Sequence, residues 1–425
     1  MKTLLKNAQI LSMKDDQITS GHIVISDNII TEIGNNVDIH AKYDLVIDCE
    51  SNLIMPGFKD AHTHSAMTFL RSKADDSNLQ DWLFKEIFPR EANLRSGVVK
   101  ELAKVAILEY LTSGITGCID HYFYPEEFEE TCKEIGFRCV NLAVYDTDTR
   151  PVSRCLELIK ANEDKNSLVK YVIGMHSEYT ATPDMFEATA KLSKETKLPF
   201  YVHLGETYQE VKDCYDKRGM SPLEFFDKLH FYDYGGAIFH GVYLSDKDIE
   251  IIKKRNIVVV SNPSSNMKLA SGICEIKKLL ANGVTIALGT DGPASNNALD
   301  MFREMYLVTG LQKILLKDPV SVPAFEVLKM ATVNGAKAMG LDNGDTLEVG
   351  KLADLIMIDL SRPSMQPINN IINNLVYAGS KDVIKMTMIN GKILYQDGKF
   401  NIKENLKDIY SKVQKLTDEL SIIKG

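Results

Sequence analysis

Short apolar runs recur along the middle of the chain, and each of them ends on polar residues. Eight such runs lie between residues 53 and 291, and most neighbours are about 25 to 35 residues apart, room for a strand, a helix and two loops. The runs span 53–58, 115–119, 138–145, 171–175, 200–202, 237–239, 257–260 and 284–288. We interpret them as eight buried strands.

The segments between the runs have the pattern of helices. Residues 98–111 carry apolar side chains at three- and four-residue spacing, residues 185–192 follow a Thr-Pro start, and residues 246–254 precede the seventh run. Eight alternations of strand and helix predict an α/β fold, a closed (β/α)₈ TIM-type barrel, with its catalytic groups at the carboxyl ends of the strands.

The two ends of the chain have a different pattern. Short alternating runs occupy 7–10, 22–25, 29–33 and 45–47, and the pattern returns at 354–358, 384–389 and 392–395. We expect the two ends to pair into one small β-sandwich domain, followed by an amphipathic helix over about 405–422. The predicted division is 1–52 and 346–400 for the β-sandwich, 53–345 for the catalytic barrel, and 401–425 for the terminal helix.

Composition narrows the class of protein. The 425 residues are 44% hydrophobic with a net charge of −9, and no basic stripe could neutralise several phosphates, which argues against a nucleic-acid partner. The apolar runs are too short to span a membrane, and no signal-peptide cleavage site follows the first residues. Seven cysteines without a CxxC pair favour reduced thiols in the cytoplasm.

Histidines concentrate at the predicted strand ends. Six of the nine follow a run directly, namely His62, His64, His121, His176, His203 and His240. His62 and His64 are two residues apart and therefore point to the same side of an extended strand. Such a pair alone is weak evidence, since it is more often structural. Together with His203, His240 and Asp291 it offers three or four nitrogens and one carboxylate, a ligand set typical of Zn²⁺.

Two carboxylates have candidate roles at this metal. Glu206 stands three residues after His203, near enough to exchange protons with a metal-activated water, although a solvated loop carboxylate is the alternative. Asp291 lies in a Gly-Thr-Asp-Gly stretch that could be only an Asx turn. It also ends the eighth strand, which in a closed barrel lies beside the first strand and its two histidines.

At these residues the sequence resembles the amidohydrolase superfamily. The likeness runs from 56–64 through His203-Leu-Gly-Glu206, 261–272 and 289–302 to 348–356. Within the superfamily it is most similar to the 5-methylthioadenosine/S-adenosylhomocysteine deaminase branch, close to triazine chlorohydrolases and guanine deaminases. The resemblance implies one divalent metal held by His62, His64, His203 and Asp291, with Glu206 as proton shuttle and His240 orienting the attacking water.

The resemblance also implies a substrate site. In the segment 82–91, Trp82 would pack on a nucleoside and Glu91 would accept hydrogen bonds from ribose hydroxyls, although the single tryptophan could instead be a core anchor. His176 matches a purine contact, but Glu178 stands where the branch usually has proline. The third-strand arginine that pairs the carboxylate of S-adenosylhomocysteine is missing from 142–146; Arg154 matches a second such arginine, and Arg150 could substitute.

The expected activity is metal-dependent hydrolytic deamination of an adenosine-type nucleoside to its inosine analogue and ammonia. The 5′ substituent stays open between 5-methylthioadenosine, S-adenosylhomocysteine and adenosine, and the metal between Zn²⁺ and Fe²⁺. The alternatives are deamination of guanine or another aminated heterocycle, a chlorohydrolase, and a non-catalytic scaffold of the same fold. A small-molecule nucleoside is the expected partner, and the resemblance also allows a homo-oligomer.

Overall fold

A computed structural model describes residues 1–77, 79–146, 150–164 and 167–422 of the chain. In chain order its strands are β1 (Lys2–Leu11), β2 (Ile18–Ser26), β3 (Ile29–Gly34), β4 (Leu45–Asp48), β5 (Leu53–Pro56), β6 (Phe58–Thr63), β7 (Ile115–Asp120), β8 (Arg138–Val144), β9 (Val169–Gly174), β10 (Phe200–Leu204), β11 (Gly236–His240), β12 (Ile257–Ser261), β13 (Ile286–Leu288), β14 (Leu355–Ile358), β15 (Ile384–Ile389), β16 (Lys392–Gln396) and β17 (Lys399–Phe400).

Strands β6 to β13 form one parallel sheet of eight strands in sequential order. The first and last strands meet just beyond the end of β13, where the Asp291 N–H donates to the carbonyl of His62 on β6 at 2.9 Å. This nearly closed barrel confirms the predicted fold class. Buried branched and aromatic side chains fill it, because strands that are covered on both faces need apolar residues on both.

The first predicted run, 53–58, is divided between two sheets. Leu53–Pro56 joins the sheet of the chain ends, and the barrel strand begins at Phe58, so that it includes His62 rather than leading up to it. The chain changes sheet at Gly57, where a Cβ would lie 2.1 Å from the Thr116 side chain. Only glycine fits this approach, and apolar periodicity does not reveal the break.

The ends of the chain build the second sheet. Its strands follow the order β17-β16-β15-β14-β5-β1-β2-β3, with β4 also paired to β1, so that β5 and β14 join the two ends. The inward face of this sheet is a separate apolar cluster that includes Leu5, Ile10 and Leu355. The division of the chain into domains at the stated boundaries stays a prediction.

The helices surround the barrel and extend past it. They are α1 (Leu79–Asp81), α2 (Phe88–Glu91), α3 (Val99–Thr112), α4 (Pro125–Ile135), α5 (Val152–Ala161), α6 (Pro183–Thr196), α7 (Tyr208–Arg218), α8 (Pro222–Lys228), α9 (Asp246–Arg255), α10 (Pro263–Lys268), α11 (Ile276–Ala281), α12 (Met301–Leu316), α13 (Ala324–Ala331), α14 (Val333–Ala338), α15 (Ile371–Tyr377) and α16 (Leu406–Leu420). A π-helix spans Trp82–Ile87, and 3-10 turns span Ser65–Leu70, Pro363–Met365 and Lys381–Val383.

Two further expectations concern the cysteines and membrane-spanning helices. All seven cysteines are buried and unpaired, as the absence of a disulfide pattern predicts. Within the described part of the chain, no helix combines the length and the apolar character that crossing a bilayer requires.

Candidate active site and metal centre

Four side chains meet at the carboxyl end of the barrel. The Nε2 atom of His203 lies 3.1 Å from Nε2 of His62 and 3.3 Å from Nε2 of His64. Asp291 Oδ1 lies 3.3 Å from the His62 Nε2 and 3.2 Å from the His64 Nε2. The structure thus brings together the four residues that the resemblance implies as ligands, from strands β6 and β10 and the loop after β13.

Hydrogen bonds fix the tautomers of two of these histidines. The Nδ1 atom of His64 contacts the carbonyl of His121 at 2.5 Å, and that of His203 contacts the carbonyl of His176 at 2.8 Å. A carbonyl only accepts, so each Nδ1 must carry the proton, and when the ring is neutral the lone pair of its Nε2 faces the cluster. Such lone pairs and a carboxylate at about 3 Å from one another favour a positive charge between them, and a bound cation would supply it.

The donor set fits a divalent metal ion. Zinc lies about 2.0 to 2.2 Å from nitrogen and oxygen ligands in tetrahedral sites, which separates the ligand atoms by about 3.3 to 3.5 Å. The four distances measured between these atoms agree with that separation within a few tenths of an ångström. Burial lowers the pKa of His62 to about 3 and that of His203 well below its usual value, so these two rings stay neutral at pH 7.

The remaining ionisable ligands point to the same need for a cation. Burial acts to lower the pKa of His64, yet its contacts with the Asp291 carboxylate raise that pKa above the ordinary value. Burial also acts to raise the pKa of Asp291, but His62 and His64 hold it well below its usual range. Asp291 is therefore an anion, and positive charge is favoured beside it, which a metal ion supplies.

The carboxylate of Asp291 is oriented on both sides. Its backbone adopts a left-handed φ of 58°, and the hydroxyls of Ser265 and Ser295 donate to Oδ2 at 2.7 and 2.8 Å. The N–H of Gly292 donates to Oδ1 at 2.8 Å. This arrangement turns Oδ1 towards the histidines, so the Asp291 loop orients a carboxylate at the cluster, which an ordinary Asx turn does not do.

Glu206 and His240 lie beside this cluster. The Nε2 of His240 is 3.6 Å from Oε2 of Glu206, and its Nδ1 donates to Asn266 at 2.8 Å. The potential ligand atoms of His62, His203, His240 and Asp291 all lie within 4.8 Å of one another. Between His64 and His240, it is His64 whose Nε2 lies within 3.3 Å of both His203 Nε2 and Asp291 Oδ1, so the geometry favours His64 as the fourth member of the cluster.

Burial raises the pKa of Glu206 above its ordinary value, with the His240 ring opposing that effect. A carboxyl group in this condition holds a proton closer to neutral pH than an exposed glutamate does, which suits a group that both accepts and donates protons. Glu206 is buried and lines the cavity, so it is not the solvated loop carboxylate of the alternative interpretation.

A cavity of about 500 Å³ opens above the cluster. Trp82, Glu91, Arg150 and His176 line it together with His64, His203, Glu206, His240 and Asp291. The Trp82 Nε1, the Glu91 Oε1 and the Arg150 Nε are buried, and the structure shows no hydrogen-bond partner for them. Burial raises the pKa of Glu91 to about 7. Unpartnered polar atoms in a largely apolar cavity are suited to fix the orientation of a ligand.

Arg154 lies outside this cavity. Its side chain is 44% exposed on α5, forms an ion pair with Glu157 at 3.1 Å, and is not part of the cavity lining. Arg150 is the arginine that the structure brings to the site. The sequence motif did not separate the two, because the direction of a side chain at the start of a helix depends on how that helix packs.

Three features of the site did not receive a role from the sequence. His121 and Tyr122 line the cavity, and the only available signal was their position directly after β7. Glu178, noted as a departure from the branch, is buried in an ion pair with Arg218, whose Nε lies 2.6 Å from Oε1. The loop that carries His176 is thereby joined to α7.

Comparisons with known proteins agree with this geometry. Residues 53–394 match the model of the amidohydrolase family. A 5-methylthioadenosine/S-adenosylhomocysteine deaminase from Thermococcus sibiricus is 39% identical over 401 residues, covering 93% of this chain and 94% of that protein. A 5′-deoxyadenosine deaminase from Methanosphaera stadtmanae is 36% identical over 403 residues, covering 93% and 94%. The crystal structure of an adenosine deaminase from Xanthomonas campestris with bound zinc has a TM-score of 0.92 at 29% identity, covering 98% of each chain.

Proposed function

The chain belongs to the amidohydrolase family, and from that premise we propose that it hydrolyses the exocyclic amino group of an adenosine-type nucleoside. The products are the inosine analogue and ammonia. The observation that carries this proposal is the position of the four-residue cluster and Glu206 at the cavity that Trp82 and Glu91 line. The relatives named as deaminases of adenosine derivatives support the same substrate class.

A divalent metal ion completes the site in this proposal. His62, His64, His203 and Asp291 would hold it, with zinc as the expected ion and Fe²⁺ as the alternative. When bound, such an ion lowers the pKa of a coordinated water from 15.7 towards about 7, which makes a nucleophile available at neutral pH.

The side chains of the protein move the protons. Asp291 and Glu206 accept protons from the attacking water, His240 orients it, and Glu206 protonates the ring nitrogen next to C6. The oxygen of the water becomes bonded to C6, the C6–N bond breaks, and the amino group leaves as ammonia with a proton that came from the water. One water is consumed for each ammonia released, and no organic cofactor takes part.

The polar atoms of the cavity orient the nucleoside. In our proposal the Trp82 ring packs on the substrate, Glu91 accepts hydrogen bonds from the ribose, and His176 contacts the purine. Arg150 lines the cavity together with Val144 and Tyr145, and its backbone pairs with that of Asp146 just past β8, so its side chain could receive an anionic 5′ substituent. A single arginine supports weaker carboxylate binding than a pair, so we propose a substrate range that includes 5-methylthioadenosine and adenosine as well as S-adenosylhomocysteine.

We also propose a cytoplasmic role in purine salvage, with a small nucleoside as partner and neither a nucleic acid nor a membrane. The seven buried free thiols and the net charge of −9 support this assignment. A homo-oligomer is compatible with it.

The direct test is the variant Glu206→Gln, with Glu127→Gln as a control. Glu127 is a buried carboxylate that accepts hydrogen bonds from the backbone of residues 97 and 100, outside the cavity lining. We expect Glu206→Gln to keep one metal ion per chain while kcat falls by about 10²- to 10⁴-fold, because its amide cannot carry protons. Metal content is measured by elemental analysis and turnover by ammonia release.

A panel of substrates distinguishes the remaining activities. Adenosine, 5-methylthioadenosine, S-adenosylhomocysteine, guanine and a chlorotriazine are compared with the metal-loaded protein. The expected result is ammonia release from the adenosine derivatives, with no ammonia from guanine and no chloride from the chlorotriazine. Turnover of guanine or of the chlorotriazine alone would overturn the substrate assignment, and parental kcat in Glu206→Gln would overturn the role of Glu206.

A further inference from the structure

The first turn of α7 differs from those of two nearby helices. In a capping box, the side chain of the N-cap residue accepts the N–H of the third helical residue, whose own side chain accepts the N–H of the N-cap residue. Ser221 with Glu224 on α8 and Ser245 with Asp248 on α9 form such boxes, with return bonds of 3.2 and 2.8 Å. These two boxes show what the local sequence ordinarily produces in this protein.

On α7 the third residue is Glu210, and its carboxylate reaches further back along the chain. Thr207 is the N-cap, and its hydroxyl accepts the Glu210 N–H at 3.2 Å as in a box. The two oxygens of Glu210, however, accept from the N–H groups of Gly205 at 2.9 Å and Glu206 at 2.8 Å. Glu210 is 5% exposed, so these bonds are protected from competing water.

Among the residues that the structure describes, the Glu206 side chain has no comparably short contact of its own. Its closest polar neighbours are the Ser271 hydroxyl at 3.5 Å and the His240 Nε2 at 3.6 Å. Contacts of this length restrain a carboxylate weakly. Its position therefore depends on the backbone of residues 205 and 206, which the Glu210 carboxylate holds from the other side.

The backbone at this point is also conformationally demanding. Gly205 has a φ of 63°, and a Cβ there would lie 2.9 Å from the carbonyl of Tyr243. A chain that leaves the end of β10 through this narrow turn needs its N–H groups satisfied, because buried unpaired donors are costly. Glu210 satisfies two of them and fixes the direction in which Glu206 leaves the turn.

We propose that Glu210 is a positioning residue for the deamination, which holds the Glu206 backbone so that the Glu206 carboxylate faces the metal centre and the substrate. Glu210 does not touch the substrate. The inference rests on the proposed role of Glu206, and it predicts an effect on turnover rather than on substrate binding or metal content.

The test compares Glu210→Gln with Glu224→Gln in the full-length, metal-loaded protein. An amide offers one acceptor oxygen, so its NH₂ group must face one of the two N–H donors and that bond is lost. We expect Glu210→Gln to lower kcat by about 10- to 100-fold, since a displacement of about 1 Å can cost that much, with KM within about twofold and one metal ion per chain. Glu224→Gln makes the same substitution at the matching position of α8, where the carboxylate accepts one backbone N–H, that of Ser221, and the amide oxygen can keep that bond, so kcat should stay within about twofold.

A second readout does not depend on activity. Hydrogen–deuterium exchange followed by mass spectrometry should show faster exchange in the peptide covering 203–207 in Glu210→Gln and no change there in Glu224→Gln. If Glu210→Gln does not fold, Glu210→Asp carries the same comparison, because its shorter side chain keeps the charge and cannot span both donors.

Failure of this inference is distinct from failure of the proposed function. Unchanged exchange over 203–207, or a kcat equal to that of Glu224→Gln, would overturn the role of Glu210 even in an active deaminase. A wild-type protein that deaminates no nucleoside would overturn the proposed function, and with it the catalytic part of the inference. Faster exchange would then still support the anchoring of residues 205 and 206.

Discussion

Helix α16 packs against the segment 82–91, which carries Trp82 and Glu91 and which we call the substrate segment. One substitution in α16 tests whether this contact matters for substrate binding. Ile409, Val413 and Leu420 of α16 are buried in the same apolar cluster as Trp82 and Leu83. Leu420 is fully buried, so Leu420→Ala removes about three methylene-sized groups from a packed site and should cost about 2 to 5 kcal/mol of unfolding free energy. We expect part of that loss of free energy to weaken the packing of α16 against the segment that carries Trp82 and Glu91.

Polar contacts at the same junction show that the segment and the helix end are joined. The Asn93 side chain donates to the carbonyls of Leu420 at 3.1 Å and Ile422 at 2.8 Å, and Arg95 pairs with Glu419 at 2.7 Å. If about 1 kcal/mol of the cost falls on this docking, the apparent affinity for nucleoside weakens by up to about fivefold. We therefore expect KM to rise about two- to fivefold while kcat and metal content stay near the parental values.

The control is Leu355→Ala, which empties a fully buried leucine site in the sheet of the chain ends. Both variants should lower the midpoint of urea unfolding, but only Leu420→Ala should raise KM in the ammonia-release assay. Equal KM values for Leu420→Ala and the parent, at a comparable loss of stability in both variants, would show that α16 does not support the substrate segment.

Two further predictions concern single charges. The carboxylate of Asp354 pairs with Arg138 at 2.6 and 3.1 Å inside the protein, so Asp354→Asn should cost about 3 to 5 kcal/mol in urea unfolding at pH 7. Burial acts to raise the pKa of Asp354, but Arg138 holds that pKa below the ordinary value of about 3.9. The pair therefore stabilises the protein fully above about pH 3.9, and its contribution is lost as the pH falls through the pKa of the folded state. If Asp354→Asn loses as much stability in acid as the parent does, this reasoning is wrong. Arg150→Gln should raise KM for S-adenosylhomocysteine about 10- to 100-fold and KM for adenosine much less, because a charge-assisted hydrogen bond contributes about 1.5 to 3 kcal/mol. Equal increases for the two substrates in the ammonia-release assay would show that Arg150 does not contact the 5′ substituent.

The sequence predicted the barrel well because period and spacing are set by local chain geometry. The helices predicted at 98–111 and 246–254 are observed as Val99–Thr112 and Asp246–Arg255, since caps and apolar stripes mark such elements directly. The division at Gly57 was not predictable in this way. It depends on the distance to Thr116, a residue far along the chain, which the local pattern of apolar residues does not show.

In the candidate site, too, features set by neighbouring residues could be predicted from the sequence, and features set by long-range packing could not. His62 lies on β6 and His64 directly follows that strand, so the two-residue spacing was enough to predict that both would lie at the carboxyl end of the barrel. The choice between Arg150 and Arg154, and the reach of Glu210 to Gly205 and Glu206, depend instead on packing. In particular, Thr207 and Glu210 have the spacing of an ordinary capping box, and nothing in the local sequence shows that the carboxylate goes to a different pair of donors.

Different elements of the fold therefore hold the proposed metal ligands and the Trp82 segment in place. The proposed metal ligands lie on or directly after barrel strands, where hydrogen bonds to neighbouring strands and second contacts such as the Phe239 ring stacked 3.8 Å from His62 hold them. The Trp82 segment lies outside the barrel and packs against the last helix of the chain. Changes at that helix should then alter which nucleosides bind, and how tightly, without altering metal binding. Changes at Glu210 should alter turnover without altering either, because the Glu210 carboxylate bonds to the backbone of Gly205 and of Glu206, the residue that we propose as proton shuttle.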